Sequence, residues 1–259
     1  MQGYARAYEV TGKAYYRKVV EAYWDLAVER RGMYATGGQT SGEIFSPMGQ
    51  LKARLGDKNQ EHCVVYNMMR LAEYLLRWTG EAKYADYWER NLYNGIFAQG
   101  FWKDEREQMI GGHVHDEPTT VTYYMPLKQG AVKHWGSKTE DFWCCHCTLV
   151  QANAMHHEHI FYQSQGGAAV AQYIPAQTQL SIAGKRVRLV QMEVSQTGGE
   201  MMRDNEINRQ VLSRPQRWVY QVTIEAEEPI AFDLSLRIPG WMVGEMDIRV
   251  DGLPADFAK

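Results

Sequence analysis

The hydrophobic period of the chain changes once, and that change limits the folds open to it. Up to about residue 165 the apolar residues recur at helical spacing. Val64, Val65, Met68, Leu71, Ala72, Leu75 and Leu76 fall on one face of a helix over 64–78, and Val19, Val20, Tyr23, Trp24 and Ala27 do the same over 14–29. A third helix is expected from about Thr148 to Tyr162. Past Gly166-Gly167 the period falls to two. Val187 to Val194, Trp218 to Glu225 and Ala231 to Ile238 alternate as half-buried strands, and Met246 to Asp251 reads as another, with a turn at Asp251-Gly252. Helices first and strands after predict two domains, 1–165 and 166–259. The last strands lack obvious partners, so the β part reads as incomplete.

The helical part carries a faint repeat. Val10-Thr11-Gly12-Lys13-Ala14-Tyr15-Tyr16 aligns with Trp78-Thr79-Gly80-Glu81-Ala82-Lys83-Tyr84, 68 residues on. In each copy a helix is expected to stop at Thr-Gly, because glycine takes the left-handed C-cap conformation without a Cβ penalty, and a new helix follows. Repeated helical hairpins build open α-solenoids or closed α/α toroids, and two copies do not choose between them.

Composition narrows the partners. The 259 residues carry 28 basic and 31 acidic side chains, a net charge of −3, which argues against a nucleic-acid surface or a polybasic membrane anchor. No apolar run approaches the roughly 18 residues needed to span a bilayer. The 16 tyrosines and 8 tryptophans suit a sugar-binding surface, although core packing accounts for most aromatics. Trp78, Tyr84, Tyr87, Trp88 and Tyr93 are read mainly as helix packing.

The four cysteines are placed unevenly. Cys63 follows Glu61-His62, while Cys144, Cys145 and Cys147 crowd into Trp143-Cys144-Cys145-His146-Cys147. Near-neighbour thiols make strained disulfides but good ligands, and thiolates with a carboxylate oxygen suit tetrahedral Zn2+. Both clusters precede expected helices, whose N-termini favour thiolate. If those helices lie parallel, segments 81 residues apart meet at one ion. The other reading is of buried free cysteines acting as small apolar residues.

The stretch Glu61-His62-Cys63-Val64-Val65-Tyr66-Asn67 through Trp88-Glu89-Arg90-Asn91-Leu92-Tyr93-Asn94 resembles the β-L-arabinofuranosidase family, glycoside hydrolase family 127, and its relative family 146. Thr36-Gly37-Gly38 with Ser41-Gly42-Glu43, Phe142-Trp143-Cys144-Cys145, and Arg237-Ile238-Pro239-Gly240-Trp241 extend the resemblance over essentially the whole chain. It implies a mainly α protein with a β domain: part of an (α/α)6 barrel of the six-hairpin glycosidase type, then a partial β-sandwich. Family members are longer, so the resemblance implies a piece truncated at both ends, with Met1 an internal methionine.

Carried over residue by residue, the resemblance makes Glu61, Cys63, Cys144 and Cys145 ligands of Zn2+. Cys144 matches the nucleophile and Glu43 the general acid/base. Glu89 matches a carboxylate that holds sugar hydroxyls, and Tyr123 a tyrosine near the nucleophile. The implied chemistry is retaining glycoside hydrolysis in which a metal-bound thiolate replaces one of the usual two carboxylates. Its substrate would be an oligosaccharide or glycan ending in β-L-arabinofuranose or a related sugar. Two alternatives stand beside it: a zinc- and carbohydrate-binding fragment without turnover, and a helical toroid with a structural zinc.

The sequence departs from the family at two places. Cys147 stands where a small residue is usual; it would either compete with Cys145 for zinc or be a spare thiol, and the second is the expectation. His62 stands where threonine is frequent, and would contact the sugar or only fill space. His156, His157 and His159 are expected to form a solvated or packed helix end, since they are not in an HExxH arrangement. His113 and His115 fall in an expected loop with no role implied. Zinc-bound, reduced cysteines fit the cytoplasm slightly better without excluding the periplasm or secretion. Oligomeric state has no signal in the sequence.

Overall fold

The computed structural model describes residues 1–101, 120–137, 140–194, 218–255 and 257. His113 and His115 lie outside the described residues. The fold is mixed, with five α-helices and several small sheets among the described residues. It clusters into two compact units, Met1–Met155 with Ile238–Lys259, and His156–Arg237.

In the first unit, helix α1 (Gln2–Thr11) turns into α2 (Ala14–Trp24), and α3 (His62–Thr79) into α4 (Ala82–Asn91). The sequence repeat is real at the atomic level. Gly12 and Gly80 close α1 and α3 in the left-handed conformation, at φ +66° and +72°. Thr11 Oγ1 donates to the Ala7 carbonyl at 2.6 Å, and Thr79 Oγ1 to the Leu75 carbonyl at 2.8 Å. Each hydroxyl also accepts the backbone N–H two residues on. The likeness runs further than the sequence reveals: both second helices pass into a π-helical segment, Asp25–Glu29 in one copy and Leu92–Phe97 in the other.

The apolar faces of these hairpins form one core. Val20, Trp24, Ala27 and Val28 pack with Met68, Leu71, Ala72, Leu75, Tyr84 and Tyr87. Trp24 meets Tyr84 and Tyr87 edge-on, at centroid distances of 5.2 and 4.8 Å. Tyr84, Tyr87 and Trp88 are therefore packing residues, as expected of most of that aromatic set. Leu71 and Leu75 are fully buried, so cutting either to alanine would cost about 2–5 kcal/mol.

A small sheet takes three strands from the segment between the hairpins and a fourth from beyond α4. Its order is β2-β1-β3-β6, from β1 (Thr40–Ser41), β2 (Ile44–Phe45), β3 (Asn59–Glu61) and β6 (Tyr124–Met125). A two-stranded ladder joins β4 (Gly100–Phe101) to β5 (Thr120–Val121). Helix α5 (Cys144–Met155) follows. The helices that bear the cysteines thus begin earlier than their apolar period signals, α3 at His62 and α5 at Cys144. The cysteine clusters form the first turns rather than precede them, since a polar or thiol-bearing first turn adds nothing to the apolar stripe.

In the second unit, β9 (Ala176–Ile182), β10 (Lys185–Glu193) and β11 (Tyr220–Ala226) make an antiparallel sheet in the order β11-β10-β9. Strands β7 (Phe161–Gln163), β8 (Gly167–Val170) and β12 (Asp233–Leu236) make another, in which β12 runs parallel to β8. Ala168, Ile182, Val187 and Leu189 are its buried core. Gly167 admits no side chain: a Cβ there would stand 1.9 Å from the Asp233 carbonyl oxygen. The expected third helix ends at Met155, and a 3-10 turn over His156–His159 leads into β7. His159 is buried beside the Tyr162 hydroxyl at 3.2 Å and belongs to packing, whereas His156 is half-buried and His157 exposed.

The last residues form the hairpin β13 (Arg249–Val250) and β14 (Leu253–Pro254), which turns at Asp251-Gly252 as the sequence predicts and supplies β13 with a partner. Upstream, the Gly240 N–H donates to Asp86 Oδ2 at 3.0 Å. A Cβ on Gly240 would meet that carboxylate at 2.7 Å.

Candidate active site

Glu43 sits at the tip of a two-residue hairpin. Strands β1 and β2 pair Ser41 with Ile44, leaving Gly42 and Glu43 to make the turn. Both have positive φ, +63° and +68°, as a type I′ turn requires. Glycine takes such a position freely, whereas a glutamate there stores strain on the order of 1–3 kcal/mol. The exposed carboxylate accepts a hydrogen bond from the Tyr123 hydroxyl at 2.6 Å.

Glu61 is aimed by a second irregularity. Strand β3 pairs Asn59 with Met125 and Glu61 with Tyr124, so Gln60 is an extra residue in a β-bulge. Its φ is +45°. A bulge re-aims the side chains that flank it, and Glu61 ends buried with Oε1 3.8 Å from Cys63 Sγ. Burial, then the charge of Glu43, push the Glu61 carboxyl above the usual carboxylate range.

The first turns of α3 and α5 bring the sulfurs together. Cys63 Sγ and Cys144 Sγ are 3.2 Å apart, and Cys144 Sγ and Cys145 Sγ 3.9 Å. All three lie within 4.8 Å of one another. Ligands about 2.3 Å from a tetrahedral ion stand roughly 3.8 Å apart, so the three thiols match the spacing and the chemistry of a metal's donor set, while the Glu61 carboxylate touches Cys63 and stands outside that cluster. Cys145 beside it, and then burial, push the Cys63 thiol far above the usual thiol range, and burial raises that of Cys144. Crowded acidic groups of this kind are eased by a cation. The three-cysteine cluster could hold a metal ion. Cys147 is exposed and is not part of the cluster.

Exposure divides the cysteines. Cys145 is fully buried against Val121 and Leu149, whereas Cys144 faces solvent. Cys144 Sγ also lies 3.8 Å from the Tyr123 hydroxyl. That hydroxyl therefore touches the carboxylate of Glu43 and the sulfur of Cys144 at once. Its donation to Glu43 and its burial hold the Tyr123 phenol well above its usual range. The neighbouring Tyr124 is pushed up to about 12 by burial and then by Glu43.

The structure thus brings Glu43, Glu61, Cys63, Tyr123, Cys144 and Cys145 into one run of contacts. Glu89 has a separate setting. It is buried on α4 and accepts a 2.6 Å hydrogen bond from Trp241 Nε1, 152 residues later in the chain. His62 is fully buried, and its Nδ1 is 2.8 Å from Thr148 Oγ1, so it ties the start of α3 to that of α5 and fills space. Gln60 and Gln99 also support the site, and no motif or period in the sequence marks them.

The chain is similar to known proteins in family and in fold. The family model of the β-L-arabinofuranosidase, GH127 catalytic domain, matches residues 1–158. No curated protein matches the chain by sequence. A GH127 β-L-arabinofuranosidase from Geobacillus stearothermophilus T6 shares the fold with a TM-score of 0.67 at 21% identity, over 98% of this chain and 36% of that one. A GH127 β-arabinofuranosidase gives 0.65 at 22% identity, over 92% and 32%. A third structure, described as a glycoside hydrolase, gives 0.68 at 22% identity, over 99% and 41%. The chain therefore spans between a third and two fifths of the length of these solved structures. Over the matched domain, the chain belongs to the GH127 β-L-arabinofuranosidase family.

Proposed function

We propose that the chain is part of a retaining glycoside hydrolase that releases terminal β-L-arabinofuranose, or a related sugar, from plant glycans. In this reading the paired helical hairpins are a portion of an (α/α)6 barrel, and the strands of the second unit belong to a partial β-sandwich. Glu61, Cys63, Cys144 and Cys145 would hold Zn2+. Cys144 is the nucleophile, Glu43 the general acid/base, and Glu89 and Tyr123 bind substrate. The observation that carries the reading is the Tyr123 hydroxyl, which meets Glu43 at 2.6 Å and Cys144 at 3.8 Å. An acid and a nucleophile within reach of one hydroxyl suit the close spacing, about 5 Å, of a retaining pair.

A bound zinc would supply a deprotonated, less basic sulfur at neutral pH. The Cys144 thiolate attacks the anomeric carbon while the neutral carboxyl of Glu43 protonates the leaving oxygen. The carbon–oxygen bond breaks as the carbon–sulfur bond forms. Glu43, now a carboxylate, takes a proton from water as that water attacks the same carbon, and the thiolate leaves with net retention. The exposure of Cys144 supports its role, since a nucleophile must be reached, and the burial of Cys145 supports a purely ligating one.

The test is turnover of p-nitrophenyl β-L-arabinofuranoside, with mass spectrometry of the Glu43→Gln form. The expected result is turnover by the parent, and a pentosyl mass on the Cys144 peptide in the variant. A Cys144→Ser form that kept near-normal rate would overturn the nucleophile assignment. Metal uptake without turnover would favour the binding-only reading.

A further inference from the structure

We propose that Gln60 and Gln99 form a buried amide clamp that positions the metal-binding site. The inference rests on the metal reading above and extends it to residues that touch no substrate and no ion. Both glutamines are fully buried. Gln60 Nε2 donates to Gln99 Oε1 at 3.1 Å, and Gln60 Oε1 accepts the Gly38 N–H at 2.9 Å. Gln99 Nε2 lies 3.2 Å from the Gln60 carbonyl, 3.3 Å from that of Thr122 and 3.2 Å from that of Tyr123. The Gln99 carbonyl in turn accepts the Thr122 N–H at 2.9 Å.

These bonds reach three separate pieces of chain, and each carries part of the site. Gly38 leads into the hairpin that ends in Glu43. Gln60 is the bulge residue beside Glu61, two positions before Cys63. The Thr122 and Tyr123 carbonyls flank the tyrosine that meets Glu43 and Cys144, and the Tyr123 carbonyl also lies 3.7 Å from Cys145 Sγ. Each piece is short and irregular, so its own ladder bonds hold it weakly; two or three paired residues do not fix a side chain's direction.

The packing leaves the clamp no slack. A Cβ on Gly38 would stand 2.5 Å from the Gln60 side chain, and one on Gly95 3.1 Å from Gln60 Nε2. Glycine at 38 and 95 makes room for the amide. Gln60 keeps a positive φ although asparagine or glycine would be easier there. Its long amide is what reaches both Gly38 and Gln99. Ligands held by such outer contacts typically lose affinity when the contacts are removed.

The test uses Co2+ as the probe, because cobalt thiolate bands report the ligand geometry directly. Gln99→Met keeps the volume and removes the amide. It is expected to bind cobalt about tenfold more weakly or worse, with altered bands and unchanged helical circular dichroism. Gln99→Asn keeps an amide one methylene too short and covers the case in which the methionine form does not fold. Leu75→Ala, which weakens the helical core without touching the clamp, is the control and is expected to keep parental bands and affinity. Parental affinity and bands in the glutamine variants would overturn the clamp, as would an equal loss in Leu75→Ala. If the parent takes up no cobalt, the metal reading falls first and takes the clamp with it.

Discussion

Among the described residues, the β9–β10 and β1–β2 hairpins each turn through two left-handed residues and fill them in opposite order. Between β9 and β10 the pair is Ala183-Gly184, at φ +49° and +77°. Between β1 and β2 it is Gly42-Glu43, at +63° and +68°. The first places its glycine second, as does Asp251-Gly252 at the β13–β14 turn. The β1–β2 turn gives that position to a glutamate, and the glutamate is the candidate acid. Each turn therefore holds one non-glycine residue in the strained left-handed region; at β1–β2 it is the carboxylate of the candidate site, and in the β unit it is Ala183. Gln60 repeats the pattern beside Glu61. Among the described residues, two of the four non-glycine residues at positive φ support the candidate active site directly, and the other two are hairpin tips with no such role.

The comparison can be broken by substitution. Cys144→Ser carries the largest expected effect: a loss of about 10⁴-fold or more in kcat, as for other enzymatic nucleophiles, with the fold intact by circular dichroism. Glu43→Gly comes next and separates strain from chemistry. Turnover should fall about 10²- to 10⁴-fold. Stability in a denaturant titration should hold or rise by about 1 kcal/mol, because glycine relieves the turn while the Tyr123 hydrogen bond is lost. A marked destabilisation would mean that the turn is not strained by its glutamate.

Trp241→Phe keeps a ring and removes the N–H that meets Glu89. If Glu89 holds sugar hydroxyls, KM should rise about tenfold with a smaller change in kcat, the scale of one hydrogen bond to a charged group. The smallest effect is the mirror experiment in the β unit. Gly184→Ala puts a Cβ into open space, so it tests backbone strain alone. It should cost about 1 kcal/mol and leave zinc affinity unchanged.

Much of the helical framework is legible in the sequence, and the reason is local. Thr11-Gly12 and Thr79-Gly80 end helices through contacts within one turn, so a seven-residue match reveals both hairpins. Three strands of the β unit, β10, β11 and β12, follow from alternation, whereas β7, β8 and β9 do not. The cysteine cluster is legible as residue types, because three thiols in four positions ask for an explanation that packing alone serves poorly.

Other features are not written locally. Gln60 sits in a bulge that exists only once β6 pairs with β3. Tyr123 reaches Glu43 across 80 positions, and Trp241 reaches Glu89 across 152. The strand expected over Met246–Asp251 groups that segment with the β part, whereas Gly240 and Trp241 bind α4 through Asp86 and Glu89. Period reports which face is buried, not what it is buried against.

The most direct test of the central claim is the zinc content of the folded chain, purified in metal-free buffer and measured by elemental analysis beside the Cys144→Ala form. The account predicts about one zinc per chain, held tightly by the parent and lost more readily by the variant, as removal of one member of the cysteine cluster requires. A folded chain with no zinc, or one whose zinc is indifferent to Cys144, would contradict it.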